Sequence, residues 1–253
     1  MKHSFIDKYS ELNSLMHKLD PRVKLIMVFL GIVAMVSETP GNIYPFVFYG
    51  AVILTLILLS RIPPGFVLKR LFFVSPFIIM AALFYPASLM LAGEYKFVNP
   101  QAEAINIGLS IFLKAGMSII LLIWLISTEK FHALLHGLRK LRMPRLIGII
   151  SALMYRYVFI LADESLKTTR ARDSRSPGKL KMNRIKVYSN QMAMIFLRSW
   201  ERSKTIYDSM LSRGFTGDFK DMKELELKRN DILISVLIVL VFLSIRVFIE
   251  PGA

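Results

Sequence analysis

Few residues of this chain have the type and spacing that chemistry needs. His132 and His136 stand four residues apart, which puts two imidazoles on one helix face, but no third histidine or carboxylate accompanies them, so the pair reads as accidental spacing rather than a metal site. His3 could bind nickel or copper only with an ordered, unformylated terminus, and is set aside. Cysteine is absent, which removes disulfides and thiol-based metal or redox chemistry. No Gly-x4-Gly-Lys-Ser/Thr loop and no Gly-x-Gly-x-x-Gly turn occurs, so no nucleotide cradle and no cofactor are expected; if ATP drives the protein, another subunit hydrolyses it. No carboxylate lies inside an apolar stretch, which argues against a proton relay or a cation-coupled carrier. Lys114 and Arg246 are the two charges well inside the stretches expected to span. Arg246 reads as snorkelling to an interface, and Lys114 as a functional group, a polar tie between helices, or another snorkelling side chain. What remains is arginine, gathered at Arg170-Ala171-Arg172-Asp173-Ser174-Arg175 and at Ser212-Arg213-Gly214.

The elements that carry these arginines follow from hydropathy and charge. Of 253 residues, 54% are hydrophobic, more than a water-soluble domain hides. Six apolar stretches can be read: 23–36, 43–60, 71–91, 104–127, 146–162 and 232–249. A spanning helix needs about 20 such residues. Met1–Lys24, Arg61–Arg70, Glu129–Arg145 and Asp163–Asn230 are all rich in Lys and Arg, whereas the segments around Glu38 and Glu94 are not. By the positive-inside rule the basic segments are cytoplasmic, which also accounts for the net charge of +15 without nucleic acid as a partner. Leu146–Ala162 then has basic cytoplasmic flanks on both sides and Arg156 near its middle, so it is expected not to span.

The expectation is an all-α integral membrane protein of about five transmembrane helices plus a cytoplasmic module of three helices, two of them long. Residues 1–128 hold four spans, 129–230 the module and 231–253 the last span, in a multi-pass cell-membrane protein with a cytoplasmic N-terminus. Within the module, Phe131, Leu134, Leu135, Leu138 and Leu141 have helical spacing. A second helix starts at Pro144, where a first-turn proline is tolerated, and runs toward Arg172 until Ser176-Pro177-Gly178. A third runs from Tyr188 to Arg213. Tyr188, Met192, Ile195, Phe196, Ser199, Ser203, Ile206, Tyr207, Met210 and Leu211 make one stripe, and Arg198, Glu201, Arg202, Thr205, Asp208 and Ser212 the other face. Gly214 stands where a left-handed cap is favoured. On composition alone, the arginines at these helix ends are caps and lipid-headgroup anchors.

A more specific reading comes from resemblance. Ala171-Arg172-Asp173 or Ser174-Arg175-Ser176, followed by Ser212-Arg213-Gly214, resembles the two Ala-Arg-Gly motifs of the transmembrane T component of energy-coupling factor (ECF) transporters. Ile6-Asp7-Lys8-Tyr9, Asn13-Ser14 and His17 to Leu25 resemble the opening of its CbiQ-like branch, used with cobalt and nickel importers, and Phe196 to Arg202 resembles the stretch before the second motif. The chain departs in having Ser212 where alanine is commonest and no glycine in the first motif, which leaves Arg172 and Arg175 as alternatives for its working arginine. The resemblance implies a non-catalytic subunit whose arginine ends dock on two ABC-type ATPase subunits and whose helices carry a membrane-embedded substrate-binding subunit. Cobalt or nickel is the implied cargo, with a vitamin such as biotin as the alternative. A lipid-acting membrane enzyme would need clustered acids or a His/Ser pair in the insert, and an anchor for anionic lipid or nucleic acid would not need matched motifs.

Overall fold

The structure, a computed structural model, describes residues 14, 16–39, 44–92, 100–175, 184–217 and 229–249. Among them every regular element is helical: a 3-10 turn at Met16–Lys18, then α1 (Pro21–Val36), α2 (Tyr44–Leu59), α3 (Pro64–Ala92), α4 (Pro100–Thr128), α5 (Phe131–Lys140), α6 (Arg145–Arg175), α7 (Arg184–Ser212) and α8 (Arg229–Ile249). The protein is an all-α membrane protein, as expected. His3, the Ile6–Tyr9 motif and the Ser176-Pro177-Gly178 stop lie outside the described residues. The helices form two compact units, α1–α5 with α8 and α6 with α7. α5, the first of the three insert helices, thus clusters with α1 rather than with α6 and α7.

The larger unit is organised around α1, which packs on α4, α5 and α8. Its start is tightly capped: the Asp20 carboxylate accepts from the Arg22 backbone N–H at 2.9 Å, and Pro21 follows where its missing N–H leaves nothing unpaired. Just before it, Ser14 Oγ and His17 Nδ1 share a hydrogen bond of 2.7 Å. The described part of the opening motif is therefore a device for starting α1. One turn on, Lys24 is 1% exposed and pairs with Glu129, just past the end of α4 and itself 7% exposed.

α5 presses on this same end of α1. A Cβ at Gly137 would stand 3.1 Å from Leu25 Cδ1 and 3.3 Å from the Arg22 backbone nitrogen. The Leu25 methyl can rotate aside, but the backbone of a capped first turn cannot. Alanine would gain about 1 kcal/mol of helix propensity, comparable with the crowding, whereas valine adds two further methyls and overpacking typically costs about 1–3 kcal/mol. Gly137→Val is expected to lower the melting temperature in detergent; an unchanged or higher value would show that α5 does not bear on α1.

At its far end α1 is tied to α4. The Lys114 ammonium donates to the backbone carbonyls of Val36 at 3.1 Å and Glu38 at 2.5 Å. These are carbonyls at or just beyond a helix C-terminus, where a cation is favourable. Of the readings open for Lys114, the contacts match the polar tie between helices. The buried Glu38 carboxylate accepts from Tyr49 OH at 2.5 Å, and the Tyr49 ring stacks on Phe242 of α8 at 5.7 Å. In the core Trp124, 1% exposed, donates its indole N–H to Ser60 Oγ at 2.6 Å, which joins α4 to the end of α2.

Helix lengths differ. α1 and α2 have 16 residues each, about 24 Å, and α3 and α4 have 29 each, about 43 Å. Among the described residues three helical stretches are long and apolar enough to cross a membrane: Pro64–Phe84, Ile105–Thr128 and Arg145–Ser174. The first two coincide with expected spans. The third contains Leu146–Ala162, which the charge pattern leads one to expect outside the bilayer, although its length and composition would let it cross. Length and composition do not ask which way side chains point, and in α6 Leu153, Tyr157, Ile160 and Leu161 line a cavity against α7.

Candidate functional site

In the smaller unit α6 and α7 run antiparallel and are joined by side-chain contacts between 164–172 and 191–198. The Arg198 guanidinium donates to the Glu164 carboxylate at 2.8 Å, and the Gln191 amide donates to the hydroxyls of Thr168 at 3.2 Å and Thr169 at 2.9 Å. Arg172 donates to the Gln191 amide oxygen at 3.0 Å. The C-terminal end of α6 thus lies beside the first turns of α7, and the end of α7 beside the first turns of α6. Between these ends an apolar cavity of about 490 Å³ is lined by Leu153, Ile160, Leu161, Ile206 and Met210.

This pairing corrects the stripe assigned to α7. Ile195, Ser199, Ser203, Ile206 and Met210 do face α6, but Met192, Phe196 and Leu211 are 58%, 66% and 49% exposed. Arg198 and Arg202, assigned to the opposite face, line cavities against α6. The apolar residues therefore divide into a half that packs and a half that stays open, joined there by Trp200 at 56% exposure. Periodicity marks a face as apolar without saying how many partners it serves.

Each motif lines a groove at one end of the helix pair. At the α6 end a groove of about 550 Å³ is bordered by Thr168, Ala171, Arg172, Gln191 and Met194. Arg172 is already engaged. Its Nε and Nη2 donate to Asp173 Oδ1 at 3.0 and 2.8 Å, and its guanidinium lies 4.7 Å from the centroid of the Tyr188 ring. Arg175 is the last residue of α6, and its side chain lies outside the described residues.

At the α7 end a groove of about 450 Å³ is bordered by Leu153, Arg156, Tyr157, Met210, Arg213 and Phe215. Gly214 has φ +79°, the left-handed conformation that a Cβ disfavours. Its N–H donates to the Leu211 carbonyl at 2.9 Å and the Phe215 N–H to the Met210 carbonyl at 3.0 Å, the two bonds of a Schellman cap. Arg213 sits in that cap, exposed, and among the described residues no hydrogen bond or ion pair holds its guanidinium. Ser212, at the alanine position of the motif, donates its hydroxyl to the Asp208 carbonyl at 2.9 Å, so the change is absorbed within the helix.

The two ends are well separated. Arg172 is opposite Gln191, and Arg213 lies 22 residues farther along α7, about 33 Å at 1.5 Å per residue. No single small ligand can span that distance. Sequence reasoning missed Arg156 as a groove residue, having used it only to place α6; its interval of three from Leu153 and one from Tyr157 was the available signal.

Comparison with known proteins is consistent with this arrangement. The family described as CbiQ, cobalt transport protein, matches residues 12–225. An uncharacterized protein of Methanocaldococcus jannaschii is 26% identical over 237 residues, covering 90% of this chain and 80% of the relative. A Staphylococcus aureus protein named energy-coupling factor transporter transmembrane protein EcfT is 29% identical over 238 residues, 88% of each chain. A Ruminiclostridium cellulolyticum protein of the same name is 26% identical over 268 residues, covering 97% of this chain and 96% of the relative.

Proposed function

This chain belongs to the CbiQ cobalt transport protein family, and from that membership we propose that it is the non-catalytic coupling subunit of an ATP-driven importer of cobalt or nickel ions. The observation that carries the proposal is the pair of motif-lined grooves about 33 Å apart at opposite ends of one antiparallel helix pair. Two separated docking points suit two ATPase subunits better than one. A rigid pair held at both ends turns their approach into a rotation of the pair, and no chemistry is asked of this chain.

In this reading Arg213 docks on one ATPase, with Ser212 and Gly214 shaping its turn. The Ala171–Arg172 end, or Arg175 beside it, docks on the other. Arg172 enters that contact with its fork already oriented by Asp173 and Gln191. The open half of α7, with Met192, Phe196, Trp200 and Leu211, is the surface for the membrane-embedded substrate-binding subunit. α6 and α7 lie on the cytoplasmic side with the N-terminus, and α1–α4 and α8 span the membrane. The family description, which names cobalt, and the resemblance of Ile6 to Tyr9, Asn13-Ser14 and His17 to Leu25 to the cobalt and nickel branch favour a metal ion over a vitamin.

The test is co-purification from detergent with the two ATPase subunits, counting copies retained. Wild type is expected to hold two, and Arg213→Ala and the Arg172→Ala/Arg175→Ala double variant one each. Retention of both copies by both variants, with metal uptake intact, would reduce the motifs to ordinary helix caps.

A further inference from the structure

We infer that Arg156 is a second docking arginine, which with Arg213 forms a two-guanidinium clamp for an acidic side chain of the ATPase at the α7 end. The inference rests on the coupling reading above and extends it to a residue outside both motifs. Arg156 and Arg213 border the same groove, one from each helix. Among the described residues neither has an ion-pair or hydrogen-bond partner, whereas Arg198 is paired with Glu164 and Arg172 with Asp173. Two arginines and no carboxylate line this groove, so its lining carries net positive charge that an anion would complement.

The surroundings narrow the occupant. Leu153, Met210 and Phe215 give the groove apolar walls, which suit a carboxylate carried on a protein side chain with apolar neighbours. Both cations bordering the groove are arginines, although Lys167 and Lys204 stand elsewhere on the same two helices. A planar fork pairs with a carboxylate through two parallel hydrogen bonds, which an ammonium cannot do. Attraction to an anionic lipid surface counts charge and treats lysine and arginine nearly alike. The Schellman cap fixes the backbone from which Arg213 projects, and α6 fixes that of Arg156, so both side chains start from set positions at the groove.

The experiment measures dissociation of the assembled complex in detergent, and binding to vesicles containing phosphatidylglycerol, for Arg156→Ala, Arg156→Lys, Arg213→Ala and Arg156→Ala/Arg213→Ala. Arg156 is exposed on a helix and alanine is the best helix former, so folding is retained and is checked by melting temperature. Arg156→Ala is expected to speed loss of one ATPase copy on the order of 10-fold, with Arg156→Lys no better than alanine. The double variant is expected to lose less than the product of the single effects, because both arginines hold the same carboxylate. Wild-type retention by Arg156→Ala alongside loss in Arg213→Ala would overturn the clamp and leave the coupling reading standing. No loss in either would overturn both. Full rescue by lysine, or an effect confined to vesicle binding, would overturn the clamp in favour of charge or lipid attraction.

Discussion

Arg213→Ala is expected to cut ATP-driven metal uptake and ATPase retention by roughly 30- to 3,000-fold, the range that follows from truncating one partner of a desolvated charge pair. The turn that holds the residue depends on the backbone of Leu211, Gly214 and Phe215 and not on its side chain. The variant should therefore melt at the wild-type temperature, which separates a docking defect from a folding defect. Arg213→Lys keeps the charge and loses the fork, so it should recover only part of the uptake. Wild-type uptake by Arg213→Ala, measured with radioactive cobalt in cells, would remove this residue from the coupling path.

The second large effect is expected at the start of α1. Lys24 and Glu129 are both buried, and Asp20 and Asp231, also buried, lie within electrostatic reach of the Lys24 ammonium. Removing one partner of a buried pair typically costs about 3–5 kcal/mol, while replacing both by apolar residues is often neutral. The neighbours make the single variants unequal. Lys24→Met leaves the buried Glu129 and Asp231 without the lysine and Asp20 with only Arg22 at 3.8 Å, whereas Glu129→Gln leaves Lys24 with two acids still near it. Lys24→Met should lower the melting temperature by roughly 10 °C, Glu129→Gln by less, and Lys24→Met/Glu129→Leu should recover most of the loss. Equal losses in the two single variants would show that Asp20 and Asp231 do not share the lysine.

The helices were legible in the chain because apolar runs, Pro144 and Gly214 mark them locally. The Arg213 turn was legible for the same reason, since a glycine after an amphipathic helix signals its own cap. Partnerships were not. Lys24 and Glu129 are 105 positions apart, and Lys114 and Val36 are 78 apart, so no periodicity joins them. Lys114 therefore kept several readings until the carbonyls it reaches were known. In α6 the length and composition are those of a spanning helix and the charge pattern argues the other way, and neither tells that Leu153, Ile160 and Leu161 line a cavity with α7. Division of the α7 stripe into a packed and an open half depended in the same way on a neighbour that a one-dimensional pattern does not contain.

The unequal helix lengths have a consequence for the surrounding lipid. Helices of about 24 Å are shorter than a hydrocarbon layer of about 30 Å, whereas the apolar stretches of 21 residues in α3 and 24 in α4, about 32 and 36 Å, reach across it. Lys114, fourteen residues beyond Pro100, is where α4 meets the end of α1, so the mismatch is concentrated on one side. Lipid fitted to α3 and α4 cannot also fit α1 and α2. On the proposed topology, in which α1 and α2 cross the membrane, lipid beside them thins by about 6 Å at a cost of a fraction of a kcal/mol per ångström, or their flanking residues snorkel. On that topology the lipid around the protein is of uneven thickness, thinner beside α1 and α2 than beside α3 and α4.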